Sequence, residues 1–410
     1  MNLETKTKIQ CSAYKDLLKY KRVILKWSTG TGKTLPAIYM LNNLFNSDKI
    51  PRVLVVVAEK AHKDNWRKEI EKFSDKSEYI INNIKMICYA SLKNYVNTSW
   101  DFIVFDEVHH LKSQLRQDYV ATLKGNYIIA LSATMNYDVR NFLVKTFGNF
   151  LTSSITLKDS IDKNLLPEPT INIYHLRWKD LDNKLQTIEV PIGKKPTKQI
   201  IDNYSNRWKY LKNRTLYNGY KIILNCTPQQ KYEYISEQMD FYKRFSMMHP
   251  NNQALKNKWL QFGSQRKRFL GELKFNKATE ILNDIRKRKS RFITFCSSIA
   301  QSSLFTENCS VNSKNPDSTN LINKFNNFEI DELFAVGMLQ EGVTLSSLDE
   351  CLIIQLDGNE RGFIQKAGRT MRTINPVIHI IVIDGTQDDN YLKNVIENIE
   401  EKYIVHIHTL

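Results

Sequence analysis

Short apolar runs separated by longer polar stretches recur along most of the chain. In the first part of the sequence, the runs typical of buried strands cover residues 22–27, 53–58, 85–90, 102–106 and 127–133. Segments long enough for helices begin near Lys33, His62 and Val139. Apolar strands that alternate with helices are typical of a parallel sheet with both faces covered. The pattern therefore predicts one doubly wound α/β domain over residues 1–160.

A second series of the same kind follows a break in the pattern. Pro167 and Pro169 interrupt regular structure, and the strand and helix alternation is lost over residues 161–290. We predict that this middle segment is largely helical, with Thr227 as the N-cap of one helix. Strand-like runs then return at residues 291–296, 332–336, 350–356 and 377–384, followed by a helix near 388–402 and an alternating tail. These runs predict a second α/β domain over residues 291–410.

The charge is unevenly distributed along the 410 residues. The net charge is +16, and residues 161–290 hold 26 Lys and Arg against 12 Asp and Glu. A basic segment of this kind predicts contacts to the phosphates of a nucleic acid, and ordinary solvated surface is the alternative.

Composition narrows the class of protein further. A 42% hydrophobic content excludes a disordered chain, and no apolar run is long enough to span a membrane. We therefore expect a soluble cytoplasmic protein without a membrane partner. The six cysteines show no paired spacing and the histidines no metal-ligand spacing, so reduced thiols are expected.

A glycine loop follows the first apolar run directly. The loop Thr29-Gly30-Thr31-Gly32-Lys33-Thr34 joins the strand-like residues 22–27 to a helix-like segment. Glycines let backbone N–H groups turn toward a polyphosphate, Lys33 can reach the β and γ phosphates, and the Thr34 hydroxyl can hold Mg²⁺. The loop therefore predicts ATP and Mg²⁺ as cofactors. A plain glycine turn is the alternative, because Trp27 occupies the position where the usual spacing of a phosphate-binding loop has another glycine.

Two carboxylates end the fourth apolar run. Asp106 can hold the Mg²⁺ shell, and Glu107 can orient or deprotonate the water that attacks a phosphoanhydride. Solvated acids at a strand end are the alternative. The residues that follow favour catalysis, because Asp106-Glu107-Val108-His109 forms a DExH sequence and the next run ends in Ser132-Ala133-Thr134.

With these segments in order, the sequence resembles the superfamily 2 helicases and translocases. The glycine loop resembles motif I, the DExH sequence motif II and Ser132-Ala133-Thr134 motif III, while residues 292–296, 341–345 and 365–372 resemble motifs IV, V and VI. Residues 220–234 resemble the segment between the motor domains of Snf2-like and related phage translocases. The resemblance implies two RecA-like doubly wound domains, with a largely helical basic insertion between them, that close on ATP.

The resemblance also assigns roles to individual residues. The implied catalytic residues are Lys33, Asp106, Glu107, Gln365, Arg369 and Arg372, the two arginines being fingers from the second domain. Gly342 is implied to contact the nucleotide, and Gln10 either reads adenine or is a plain surface residue. The following residues are implied to contact nucleic acid or to couple its binding to ATP hydrolysis: Lys60, Lys63, Ser91, His109, Ser132, Thr134 and Thr344. Lys366 stands where motif VI usually has arginine.

The implied function is an ATP-dependent helicase or translocase acting on DNA in replication, recombination or repair. A monomer in the cytosol of a bacterium or a phage-infected host is expected. Three alternatives stay open at this point: an RNA helicase, a motor that moves duplex DNA without separating the strands, and a nucleic-acid-binding scaffold that does not hydrolyse ATP.

Overall fold

The first part of the chain forms a six-stranded sheet in which all neighbouring strands are parallel. Its strands are β1 (Arg22–Trp27), β2 (Val53–Val57), β3 (Ile84–Cys88), β4 (Ser99–Asp106), β5 (Lys124–Ser132) and β6 (Leu151–Ile155). Their order across the sheet is β3-β2-β4-β5-β1-β6. The computed structural model describes residues 3–47, 49–337, 345–356, 362–363, 366, 368, 370, 373–397 and 399–408.

Helices cover both faces of this first sheet. They are α1 (Leu3–Tyr20), α2 (Leu35–Leu44), α3 (Lys60–Phe73), α4 (Ser77–Asn83), α5 (Gln114–Ala121) and α6 (Tyr137–Phe147). Helix α7 (Leu157–Asp162) follows β6 and packs in the core of the second sheet. Because successive strand residues point to opposite faces, Val55 packs with α1 to α4 while Val56 packs with α5 and α6. The doubly wound α/β prediction is confirmed. Strand β6 was not predicted, because its centre is Thr152, Ser153 and Ser154 rather than an apolar run.

Residues 161–290 are about half helical, so the largely helical prediction fails for their first half. That half contains β7 (Thr170–Leu176), β8 (Gln186–Pro191), β9 (Lys198–Asn203), α8 (Arg207–Lys212) and β10 (Tyr220–Cys226). The second half contains α9 (Pro228–Met248), α10 (Gln253–Leu273) and α11 (Phe275–Lys287). Strands β8 to β10 form a small sheet in the order β8-β10-β9. The predicted N-cap is confirmed, since Thr227 forms a capping box with Gln230.

The remaining strands join β7 in a second parallel sheet, which confirms the second α/β domain fold. They are β11 (Phe292–Phe295), β12 (Ser310–Asn312), β13 (Glu332–Val336), β14 (Glu350–Ile353), β15 (Val377–Ile383) and β16 (Ile404–His408). The order is β12-β13-β11-β14-β15-β7-β16. Helix α11 packs on one face, while α13 (Ser318–Asn326) and α14 (Gln387–Ile396) pack on the other, and α12 (Ile299–Phe305) precedes β12. Short 3-10 helices lie at Tyr89–Tyr95, Val108–Lys112, Trp178–Asp180, Tyr204–Asn206 and Glu401–Tyr403.

A buried ion pair fixes the long helices α10 and α11 to the second sheet. Lys274 lies between these helices with its side chain fully buried, and its Nζ is 2.7 Å from an oxygen of Asp388. The same Nζ donates to the carbonyl oxygen of Ile354 and to the side-chain oxygen of Gln355, both over 3.0 Å. Burial lowers the pKa of the Lys274 ammonium, and Asp388 offsets only part of that effect. The pair therefore requires both partners.

The connection between the two large sheets is anchored on both sides. Leu165 packs in the core of the first sheet, and its neighbour Leu166 packs in the core of the second. The amides of both residues donate to the carbonyl oxygen of Ser160, over 2.8 and 3.0 Å. Consecutive residues are thus held in different cores.

Two expectations from composition concern membranes and thiols. Among the described residues, no helix combines the length and the apolar character that crossing a membrane requires. All six cysteines are free thiols, and Cys226 and Cys351 are buried.

Candidate active site

The glycine loop lies between β1 and α2, at the edge of the first sheet where the strands end. Gly30 and Gly32 have φ values of 90° and 80°, in the left-handed region that glycine adopts without strain. Gln10 on α1 is buried, and its Nε2 donates to the Thr31 carbonyl over 2.9 Å. Lys6 donates to the Gly30 carbonyl over 2.8 Å. A Cβ on Gly32 would collide with Gln10 Nε2, so a larger residue would displace the Gln10 side chain from the loop.

Trp27 has a structural role that accounts for its place before the glycine loop. Its side chain is 1% exposed, and its Nε1 donates to Ser153 Oγ on β6 over 2.9 Å. The next residue, Ser28, donates its amide to Ile155 over 2.9 Å and places its hydroxyl 2.5 Å from that of Ser160. These contacts fix the start of the loop without a glycine at position 27.

Asp106 is held in one orientation at the end of β4. Its Oδ2 accepts from Trp66 Nε1 over 2.9 Å, and its Oδ1 accepts from the Glu107 amide over 3.0 Å. Its backbone carbonyl accepts from the Tyr89 hydroxyl over 2.9 Å. Both carboxylate oxygens therefore have donors that limit rotation of the side chain.

The electrostatic surroundings of Asp106 oppose its ionisation. Burial and the neighbouring Glu107 raise the pKa of the Asp106 carboxyl, while the Trp66 hydrogen bond, His62 and Lys33 act in the opposite direction. A divalent cation at this carboxyl would favour the ionised form. Asp106 is therefore better suited to act as a metal ligand than an isolated carboxylate on the surface would be.

Glu107 and His109 connect motif II to the end of β5. Glu107 has φ 48° and ψ 54°, a left-handed conformation that is uncommon for a residue with a side chain. Its Oε2 is 3.3 Å from His109 Nδ1 and 3.5 Å from Ser132 Oγ. His109 Nδ1 is also 3.0 Å from Ser132 Oγ. The strained backbone thus turns the Glu107 carboxylate toward motif III.

The direction of these hydrogen bonds follows from their acceptors. The Ser132 hydroxyl lies 2.6 Å from the Thr134 carbonyl oxygen, which can only accept, so Ser132 donates there. Ser132 Oγ is then an acceptor toward His109, and the Glu107 carboxylate is an acceptor as well. His109 therefore carries a proton on Nδ1, and a chain of hydrogen bonds leads from Glu107 to Thr134.

The predicted nucleic-acid contacts of the first domain lie near the same sheet edge. Lys60 and Lys63 are in the first turn of α3, directly after β2, and Ser91 is in the 3-10 helix that follows β3. Lys60 is exposed, Lys63 and Ser91 are half-buried, and Thr134 is half-buried after β5. These positions form one side of the region that contains the glycine loop, because parallel strands end at a common edge.

Motif VI approaches the glycine loop from the second domain. A Cβ on Gly368 would lie 2.8 Å from Thr29 Cβ, and a Cβ on Gly30 would lie 3.7 Å from the Gly368 carbonyl oxygen. Lys366 is buried, and its Nζ lies 5.4 Å from the centre of the Phe295 ring, inside the second domain. The lysine that replaces the usual arginine therefore packs within its own domain. The predicted residues Gly342, Thr344, Gln365, Arg369 and Arg372 lie outside the described residues.

Two side chains of α3, Trp66 and His62, also belong to the site. Trp66 is 2% exposed, and its indole also donates to Asp106. His62 is 5% exposed, and neither ring nitrogen has a hydrogen-bond partner among the described residues. The spacing of four residues was the available signal, because it places both side chains on one face of the helix.

The aromatic residues of the middle segment have different surroundings. Tyr210 is buried in the core of the small sheet, and Tyr217 is half-buried against that core. Trp208 is 50% exposed, so its ring is accessible to a ligand.

Comparisons with known proteins match two separate parts of the chain to family models. A family model described as "Type III restriction enzyme, res subunit" matches residues 4–137, and one described as "Helicase conserved C-terminal domain" matches residues 274–374. Nucleoside triphosphatase I of Heliothis armigera entomopoxvirus is 27% identical over 168 residues, which cover 33% of this chain and 25% of that protein. The match thus spans about a quarter of that relative's length.

The fold is also similar to solved structures. S. cerevisiae Dbp5 bound to RNA and ADP BeF3 aligns with a TM-score of 0.55 and 13% identity, over 98% of this chain and 89% of that one. A variant of Dbp5 with the same ligands aligns with a TM-score of 0.57 and 12% identity, over the same shares of the two chains. At this level of identity the similarity concerns the fold alone.

Proposed function

We propose that the chain is a superfamily 2 helicase that hydrolyses ATP with the help of Mg²⁺ in order to move along or remodel DNA. The observation that carries the proposal is the hydrogen-bonded chain from Glu107 through His109 and Ser132 to Thr134. It joins the carboxylate suited to activating water to the turn that follows β5.

The glycine loop and Asp106 fit a triphosphate with its metal ion. The positive φ values of Gly30 and Gly32 turn the loop backbone, and Lys33 is close enough to Asp106 to affect its pKa. In this proposal Lys33 binds phosphate, while Thr34 and Asp106 hold Mg²⁺. Bound Mg²⁺–ATP supplies the electrophilic γ phosphorus and positive charge beside it.

Glu107 is the group that we assign to the attacking water. Its carboxylate orients the water and accepts its proton, and the left-handed backbone at this residue aims the carboxylate. His109 Nδ1 lies 3.3 Å from Oε2 and donates to Ser132 Oγ over 3.0 Å, so His109 links the carboxylate to Ser132. Small shifts of Ser132 would therefore change the orientation of Glu107.

Coupling to nucleic acid follows from the same contacts. Ser132 donates to the carbonyl of Thr134, which lies near the sheet edge shared with Lys60 and Lys63. Binding of a phosphate backbone along that edge would move the turn after β5 and, through Ser132, reposition Glu107. Arg369 and Arg372 of the second domain would complete the site when the domains close.

We favour DNA as the nucleic acid along which the protein moves. The basic segment 161–290 provides the charge for backbone contacts, and the family model that matches residues 4–137 is that of a type III restriction enzyme subunit. Two features of the sequence also favour DNA over RNA: the DExH sequence with the pattern of motif VI, and the Snf2-like segment at residues 220–234. RNA is the second candidate.

The test is ATP hydrolysis by the wild type and by Glu107→Gln, without nucleic acid and with single-stranded, duplex or forked DNA, or RNA. DNA should stimulate the wild type, and Glu107→Gln should lose turnover by about 100-fold or more. Glu71→Gln, at an exposed position of α3, is the matched control and should keep wild-type turnover.

Each other result has a defined meaning. Stimulation by RNA alone would replace DNA with RNA as the track. Tight DNA binding without stimulated hydrolysis would contradict the motor and leave a scaffold. Wild-type turnover in Glu107→Gln would refute the role of Glu107.

A further inference from the structure

Three histidines and an aspartate meet in the second domain, at the ends of β7, β15 and β16. His175 Nδ1 lies 2.8 Å from Asp384 Oδ1, and His175 Nε2 lies 2.9 Å from His406 Nδ1. The rings of His175 and His408 are stacked, with 4.5 Å between their centres. We name these four residues the histidine cluster.

Strand pairing explains why the sequence did not reveal the histidine cluster. His175 and His408 are partners in the register of the parallel pair β7 and β16, although more than two hundred residues separate them in the chain. His406 and His408 share a strand face because their spacing is two residues. Asp384 follows Ile383, which pairs with Leu176, the residue after His175. The sequence analysis found no metal-ligand spacing among the histidines because it compared only residues that are close together in the chain.

We infer that the histidine cluster binds a divalent transition-metal ion, with Zn²⁺ the best match. One ligand atom each from His175, Asp384 and His408 lies within 4.8 Å of the other two. Ligand distances of about 2.0–2.1 Å in a tetrahedral zinc site imply donor atoms roughly 3.4 Å apart, so rotation of side chains is enough to close the set.

The type of donor selects the ion. Imidazole nitrogens with one carboxylate suit Zn²⁺ and its transition-metal neighbours, whereas Mg²⁺ and Ca²⁺ take oxygen ligands. Asp384 either binds the ion directly or keeps its hydrogen bond to His175 Nδ1, an arrangement that orients metal-binding histidines in many proteins. The side chains of Asp384 and His406 are 38% and 34% exposed, so an ion can reach the cluster.

A bound ion would fasten the last strand of the second sheet. Strand β16 is the edge strand of the described sheet, and its described neighbour is β7. A metal held by His175, Asp384 and His408 would cross-link three strand ends and stabilise the pairing of β16. The inference uses none of the residues proposed for ATP hydrolysis, so the two proposals succeed or fail separately.

The test titrates Zn²⁺ into chelator-treated full-length protein and measures stoichiometry and affinity by calorimetry. Co²⁺ serves as a spectroscopic probe, because a tetrahedral Co²⁺ site absorbs visible light. We expect one equivalent to bind to the wild type and the affinity to fall at least about 10- to 100-fold in His408→Ala and Asp384→Asn. Zn²⁺ should also raise the unfolding temperature of the wild type but not of His408→Ala.

His249→Ala is the matched control, because His249 is an exposed histidine between α9 and α10, far from the cluster in sequence. It should keep wild-type affinity. The inference is overturned if the wild type shows no saturable binding, or if His408→Ala and Asp384→Asn, still folded by circular dichroism, bind Zn²⁺ like the wild type.

Discussion

Replacement of Trp66 by phenylalanine removes one N–H group from the candidate active site and leaves an aromatic ring in a buried position. Trp66 is 2% exposed, and its Nε1 donates to Asp106 Oδ2 over 2.9 Å. In Trp66→Phe, Asp106 keeps the contact from the Glu107 amide to Oδ1 at 3.0 Å, so its carboxylate can rotate. The pKa of Asp106 should rise further, because the indole hydrogen bond is one of the contributions that lower it.

The size of the effect follows from the kind of hydrogen bond. A hydrogen bond to a charged group contributes about 1.5–3 kcal/mol, and about 1.4 kcal/mol corresponds to a tenfold change. We therefore expect kcat/KM for ATP to fall by about 10- to 150-fold and the Mg²⁺ concentration for half-maximal turnover to rise. Thermal unfolding of the same samples measures any loss of stability from the smaller ring.

Trp100→Phe separates the active-site effect from the general cost of losing an indole. Trp100 is half-buried, and its Nε1 donates to Thr98 Oγ1 over 2.8 Å, away from the carboxylates. ATP hydrolysis should be measured against Mg²⁺ concentration for the wild type and both variants. Wild-type Mg²⁺ dependence in folded Trp66→Phe, or an equal loss in Trp100→Phe, would refute the reasoning.

Three further predictions concern coupling and stability. Ser132→Ala removes the donor to Thr134 at 2.6 Å, and DNA-stimulated turnover should fall more than basal turnover; equal loss of both would count against coupling through this hydroxyl. Burial raises the pKa of Glu350, but hydrogen bonds from His379, Arg288 and Ser290 outweigh burial and lower it to about 2. Because this pKa is below the ordinary value near 4.5, ionised Glu350 stabilises the fold by about 3 kcal/mol above about pH 4.5, and this stabilisation is lost as the pH falls toward 2. In urea unfolding, Glu350→Gln should therefore reduce the dependence of the unfolding free energy on pH between about 4.5 and 2. Lys274→Met leaves the Asp388 charge buried and should cost about 3–5 kcal/mol in the same assay, and adding Asp388→Asn should recover part of it; a double variant no more stable than the single one would contradict this.

Local sequence patterns predicted the parts of the molecule that contiguous residues determine. The first strand, the glycine loop and the Asp106-Glu107 pair are such parts, because each depends on apolar runs and turn residues that are adjacent in the chain. The indole contact to Asp106 depends on how α3 docks against the end of β4, so no local sequence pattern identifies Trp66 as a partner of Asp106.

Pairing between distant strands explains the other misses. Strand β7 alternates Ile171 and Ile173 with polar residues, and its partners β15 and β16 lie about two hundred residues further along the chain. A lone run of this kind has no local feature that distinguishes it from a loop. The histidine cluster went unpredicted for the same reason, since its members become neighbours only through the register of those strands.

The chain segment that connects the two domains is packed into both of their cores, so it cannot move independently of them. Leu165 and Leu166 are consecutive residues locked in different cores, and Leu157 and Ile161 of α7 pack with the second sheet. The hydroxyl of Ser160, also on α7, lies 2.5 Å from that of Ser28, the residue before the glycine loop. A rotation of the second domain should therefore move α7 with it. Through the contact between Ser160 and Ser28, that movement would shift the start of the loop that we assign to phosphate. We therefore expect the covalent linker itself to couple nucleotide binding to domain motion, in addition to any direct contact between the domains.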